Sequence, residues 1–291
     1  MEQFKNANQM KSFMKKESNR LGISITNTYT TFLSRLFLER MSKYNTGNLL
    51  VKGSSAETAY LGKLVRGITD VDIASIGSFS VYEKIIQLII ESNKIGEIGF
   101  TLSHEARKTP TGIYKTSLMA IFDRIKQPLS IDVQEKYDRL IEKKNIIMPK
   151  IFDGDDEFEI VVPSFEEYLA EKLCIIVESN KPDVLNTRVK DFYDIYQLHG
   201  GNYSPEKLSA YFRKMLVLRG KISIESASTE YLDKNFVLNH NSIWNSTKEK
   251  YDFLDSEIDL FGAVYYTRAV LREELQKNGS VMPDNIFTKI K

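Results

Sequence analysis

The chain is poor in the residues that build covalent and metal cross-links. Its 291 residues include one cysteine and three histidines. A single thiol, Cys174, excludes an internal disulfide and fits a reducing cytoplasm. Leu173, Ile175 and Ile176 around it predict a buried thiol rather than a nucleophile. His104, His199 and His240 stand far apart, without the spacing of a zinc site. No hydrophobic run approaches the length of a membrane span, and the opening stretch is too polar for a secretory signal. The sequence also lacks a Gly-rich kinase loop and a His-Arg-Asp motif, which argues against kinase-type transfer. With no coiled-coil pattern, a monomer is expected.

What is present is ordinary in composition, with 42% hydrophobic and 27% charged residues, as in a soluble globular protein long enough for two modest domains. The net charge of +1 is unevenly spread. Residues 1–66 hold eleven Lys and Arg against four acids, so the remaining 225 carry −6. A basic N-terminal third suits a polyanion such as RNA, and equally a solvated helical face.

One stretch organises the rest, residues 49–74 (LLVKGSSAETAYLGKLVRGITDVDIA). It reads as a strand, a Gly-Ser turn, a short helix and a second strand. Alternation along that second strand turns Asp70 and Asp72 to one face and Val71 to the other. Two neighbouring carboxylates repel, and Mg²⁺ suits such a pair because it takes hard oxygen ligands and shares its other positions with phosphates. Gly53 lets the backbone approach a ligand, while Ser54 and Ser55 open a helix whose N–H groups favour an anion. A phosphate cradle followed by a metal-binding acid pair is the core of a nucleotidyltransferase. The same pattern also describes a turn, a cap and two solvated aspartates.

Residues 7–44 predict two helices broken near Leu21-Gly22-Ile23, the second capped by Thr26-Asn27-Thr28. Ser80 starts a helix through Ile90, and strands follow at Ile98–His104, Gly112–Phe122 and Leu129–Val133. In the last of these, Asp132 sits between Ile131 and Val133. A lone acid in a core strand is costly, so Asp132 either joins the site of Asp70 and Asp72 or faces water on an edge. Residues 135–163 read as charged and irregular, with an acidic surface loop at 153–157 and a short strand, Phe158–Val162.

From Ser164 the chain reads as helical. The Ser164–Glu167 spacing suggests a capping box opening a helix to 178. Lys172 falls within the apolar stripe of this helix, and either snorkels past the aromatics or reaches an anion. The next helix, Val184–His199, turns Arg188 and Asp191 toward its buried side and leaves Lys190 and Asp194 opposite as an i,i+4 pair. Arg188 and Asp191 either pair with each other or line a pocket with Lys172. On the last strong helix, about Leu260 to Leu275, Phe261 and Tyr265 read as core.

Taken in order, Gly-Ser, Asp-x-Asp, a hydrophobic-Asp-hydrophobic strand, Glu-Lys and Arg-x-Lys-Asp-x-x-Asp resemble the AbiEii-type toxins of the DNA polymerase β-like nucleotidyltransferase superfamily, over roughly residues 49–198. The resemblance implies a cytoplasmic, bilobed α+β enzyme. Residues 1–163 would form a nucleotidyltransferase-like lobe, its mixed sheet flanked by helices, and 164–291 a helical lobe completing the cleft. It implies metal-dependent transfer of NMP from an NTP to RNA, such as the tRNA 3′ end, blocking growth or phage propagation, and pairing with an antitoxin. Position by position, Gly53, Ser54 and Ser55 would hold the triphosphate, and Asp70, Asp72 and Asp132 the Mg²⁺ ions. Lys172 would neutralise phosphate charge. Asp191, supported by Arg188, would act as a base or position Lys172. Gly53-Ser54-Ser55 and Ile68-Thr69 depart from many relatives, which leaves the nucleotide open. The competing readings are nucleotidylation of a small molecule or protein hydroxyl, and a non-catalytic NTP-binding module.

Overall fold

The computed structural model of the protein describes residues 4–135, 142–179, 188–223 and 226–277. The chain divides into two compact units, Met1–Ser164 with Lys248–Ser256, and Phe165–Thr247 with Glu257–Lys291.

The first unit opens with α1 (Ala7–Leu21) and α2 (Ile25–Tyr44). Gly22, at φ 70, ends α1 in the left-handed conformation that glycine adopts without cost. Ser24, rather than residues 26–28, caps α2 by accepting from the Asn27 N–H. Five strands form a mixed sheet: β1 (Leu49–Val51), β2 (Val71–Ser75), β3 (Gly99–Lys108), β4 (Ile113–Phe122) and β5 (Ile125–Gln134). Their order is β1-β2-β5-β4-β3, with β2 and β5 parallel and the other pairs antiparallel. Between β1 and β2 lies α3 (Gly53–Leu61), and between β2 and β3 lies α4 (Phe79–Glu91).

Alternation gives this sheet two unlike faces. Val71, Ile73, Leu118, Leu129, Ile131 and Val133 are buried on one of them. The other carries Asp72, Asp132, Lys115 and Ser130, of which the last two are exposed.

A second, two-stranded sheet pairs β6 (Lys143–Met148) with β7 (Phe158–Pro163). β6 falls in a stretch expected to be irregular: its sequence, KKNIIM, carries no apolar alternation, and only Met148 in it is fully buried. The acidic loop also departs from expectation. Asp155 is buried and ion-paired with Arg35, whose guanidinium also donates to the carbonyls of Pro149 (2.7 Å) and Asp156. Asp153 pairs with Lys16 at 2.6 Å.

The second unit is helical: α5 (Phe165–Ser179), α6 (Val189–Gln197), α7 (Pro205–Arg219), α8 (Lys234–Tyr251, of which residues from Lys248 on belong to the first unit) and α9 (Leu260–Lys277). The expected start of α6, Val184–Thr187, lies outside the described residues. Leu173, Phe192, Ile195, Phe212 and Leu271 build the core, and the buried Cys174 Sγ lies 3.7 Å from the Phe212 carbonyl. Phe261 and Tyr265 are 57% and 61% exposed, against the expectation of core. The buried stripe of α9 runs through Leu260, Val264, Leu271 and Leu275, which turns these two aromatics outward. Among the described residues, no helix is long and apolar enough to cross a membrane.

Candidate active site

The turn at Gly53 and the strand β2 meet closely. The Lys52 N–H donates to the Asp72 carbonyl at 2.8 Å, which brings the end of β1 against β2. Gly53 then adopts φ 59, and a Cβ built there would overlap the Asp72 carboxylate. Only glycine fits both the backbone conformation and the contact. Ser54 and Ser55 form the buried first turn of α3, and Lys52 places no side-chain cap on that helix. The Ser55 hydroxyl is buried and makes no hydrogen bond among the described residues.

The parallel pairing of β2 and β5 sets Asp72 directly opposite Asp132. Asp132 therefore stands beside the Asp-x-Asp strand and not on a sheet edge. Asp70 precedes β2 by one residue and accepts from the Thr69 hydroxyl at 3.2 Å. All three acids are half-buried. Lys115, across the β4–β5 pairing, lies 3.1 Å from the Asp132 carboxylate.

Among the described residues, no group of three His, Cys, Asp or Glu side chains is arranged to hold a metal ion. A Mg²⁺ site does not require such a cage, since this ion is bound through one or two carboxylates and completed by water and substrate phosphates. Two all-oxygen carboxylates in register, beside a turn that glycine alone can fill, fit that donor set. Asp72 and Asp132, with Asp70 two residues before Asp72 in the chain, are the residues that would hold it.

The helical unit carries a second cluster. Lys172 is buried, lies over the Tyr168 ring at 5.2 Å, and donates to Asp194 at 2.7 Å and Asp191 at 3.4 Å. Arg188 Nε donates to the other Asp191 oxygen at 2.6 Å. Burial pushes the Asp191 carboxyl up, but the charges of Lys172 and Arg188 outweigh it and hold the group below the usual aspartate range. Asp194 corrects the sequence reading. It is fully buried against Lys172 and does not face outward with Lys190. The signal was available, because residues three apart share a helix face. Lys115 was missed as well, since alternation gives a strand residue its face but not its partner.

Residues 68–265, about two thirds of the chain, match the model of the family described as "Nucleotidyl transferase AbiEii toxin, Type IV TA system". The chain belongs to the AbiEii nucleotidyltransferase toxin family. Membership implies an NTP substrate and an antitoxin partner. The AbiEii match includes Asp70, Asp72, Asp132, Lys172, Arg188 and Asp191, and begins after Gly53, Ser54 and Ser55. No curated protein matches the chain. Among solved structures, the nucleotidyltransferase toxin MenT4 from Mycobacterium tuberculosis is 15% identical, with 92% of this chain and 98% of that one covered at a TM-score of 0.54. That likeness places the AbiEii chain in the same α+β fold. JHP933 from Helicobacter pylori is 13% identical, with coverages of 87% and 94% and a TM-score of 0.46.

Proposed function

We propose that this AbiEii-family toxin transfers NMP from an NTP to an RNA hydroxyl, most simply the 3′ end of tRNA, in a divalent-metal-dependent reaction that releases pyrophosphate. The observation that carries the reading is the placement of Asp72 opposite Asp132 with Gly53 packed on the Asp72 carboxylate. The basic balance of residues 1–66 supports a polyanionic acceptor.

In this mechanism Gly53 and the first turn of α3, with Ser54 and Ser55, receive the triphosphate through backbone N–H groups. Asp72 and Asp132, with Asp70, would hold the divalent ions. When bound, these ions neutralise triphosphate charge and lower the pKa of the attacking hydroxyl. The acceptor oxygen bonds to the α-phosphorus, the bond from that phosphorus to the bridging oxygen breaks, and pyrophosphate leaves while the hydroxyl proton passes to water. Lys172, which the family resemblance implies as the phosphate-neutralising cation, is held within the helical unit by Asp194 and Asp191. Asp191 is a positioning residue in this scheme. Its ion pairs with Lys172 and Arg188, and its lowered pKa, make it a weak base and a strong anchor.

The test is label transfer. Purified protein is incubated with total cellular RNA, Mg²⁺ and each α-labelled NTP in turn, beside an Asp70→Asn/Asp72→Asn control. Label on tRNA-sized species that is absent from the control is the expected result. No transfer to RNA from any of the four nucleotides overturns the RNA acceptor and directs the search to protein and small-molecule hydroxyls.

A further inference from the structure

The order of charges across the open face of the sheet carries an inference that rests on the function just proposed. Adjacent strands β2, β5, β4 and β3 present one cross-strand row, Asp72, Asp132, Lys115 and Arg107. The next row pairs Ser130, Ser117 and His104. Lys115, Arg107, Ser130 and His104 are all exposed. Among the paired positions of β3, β4 and β5 on this face, the charged residues are Arg107, Lys115, Lys126 and Asp132.

An exposed antiparallel face is commonly polar, and mixed charges on one need no explanation. Here the signs are sorted. On β2 and β5 the row carries two acids, and on β4 and β3 two cations, one per strand. Strand spacing places Lys115 and Arg107 about 5 and 10 Å beyond Asp132. A nucleic-acid strand whose reacting end lies at the acids needs cations at successive steps away from them, because phosphates supply most of the binding energy. Hydroxyl and imidazole groups in the neighbouring row are donors suited to sugar and phosphate oxygens.

We propose that the β5–β4–β3 face is the track for the acceptor RNA strand, with Arg107 and Lys115 contacting its backbone phosphates just behind the reacting end. These contacts are to phosphate, so the track reads charge and spacing, not base identity.

The test measures RNA binding without transfer. Fluorescence anisotropy of a labelled mixed-sequence single-stranded RNA is followed across a salt series with Mg²⁺ and no NTP. The slope of log affinity against log salt is compared for wild type, Arg107→Ala/Lys115→Ala, and a control that removes two exposed charges elsewhere, Lys84→Ala/Lys94→Ala. Two lost phosphate contacts on a single strand are expected to reduce the slope by about 1.4, with the control unchanged. The charge-conserving pair Arg107→Lys/Lys115→Arg is expected to restore it, and circular dichroism verifies that each variant is folded. A wild-type slope in the Ala pair, or an equal loss in the control, overturns the track and leaves the label-transfer reading untouched. If wild type shows no salt-dependent RNA binding, the track and the RNA acceptor fall together. Label then appearing on protein would give the acceptor as a protein.

Discussion

Lys172 makes its shorter hydrogen bond to Asp194, at 2.7 Å, and its longer one to Asp191, at 3.4 Å. Arg188 holds the far oxygen of Asp191, so two cations and two acids form one chain of contacts between α5 and the start of α6. Cations and acids balance, which is what allows a lysine and two aspartates to be buried together.

Removing Asp194 breaks that balance. Asp194→Ala leaves Lys172 with Asp191 alone in a buried setting, and is expected to lower unfolding free energy by about 3 kcal/mol. Urea denaturation at neutral pH measures it. A loss below about 0.5 kcal/mol, in the range of an exposed pair, would show that the contact contributes little.

The cluster also sets a pH dependence. Asp191 has a folded pKa below its unfolded value, so its contribution is fully present above the ordinary aspartate pKa of about 4. It is lost as pH falls through the lower, folded value. Lys172→Met inverts this, since two buried acids then face each other without the lysine. Their pKa values are expected to rise, so the variant is least stable near neutral pH and recovers as pH falls. Thermal unfolding at a series of pH values compares the two profiles, and parallel curves would refute the inversion.

Gly53→Ala tests the turn. A residue with a Cβ is strained at φ 59 by about 1–2 kcal/mol, and its methyl group would overlap the Asp72 carboxylate. Transfer is expected to fall about a hundredfold, the range seen when a preorganised electrostatic group is removed, while the fold persists by circular dichroism. Activity near wild type would mean that Asp72 need not occupy this position.

Arg35 and Asp155 make the opposite case. Burial pushes the Arg35 guanidinium down and the Asp155 carboxyl up, so for both groups desolvation outweighs the attraction between them. Arg35→Met alone strands a buried acid, and a loss of about 3 kcal/mol is expected. The double substitution Arg35→Met/Asp155→Leu removes both charges and is expected to recover most of that loss. Additive losses in a double-mutant cycle would refute the coupling.

The sequence by itself determined what depends on near neighbours along the chain. The α2 stripe through Phe32, Leu33 and Phe37 follows from a period of 3.6, and all three of those side chains are buried. The ordered motifs, read together, carried the family. Only the tertiary structure decided which faces meet. Asp132 lies sixty residues from Asp72 in sequence, and their opposition depends on β2 and β5 pairing in parallel, in one register. The same holds for Lys115 beside Asp132, for Asp194 beneath Lys172, and for Arg35 on Asp155. Phe261 and Tyr265 show the converse, two aromatics at helical spacing that remain exposed. Periodicity fixes which way a side chain points relative to its own element. Whether that direction holds a partner, a core or water is set by long-range packing, which no local pattern encodes.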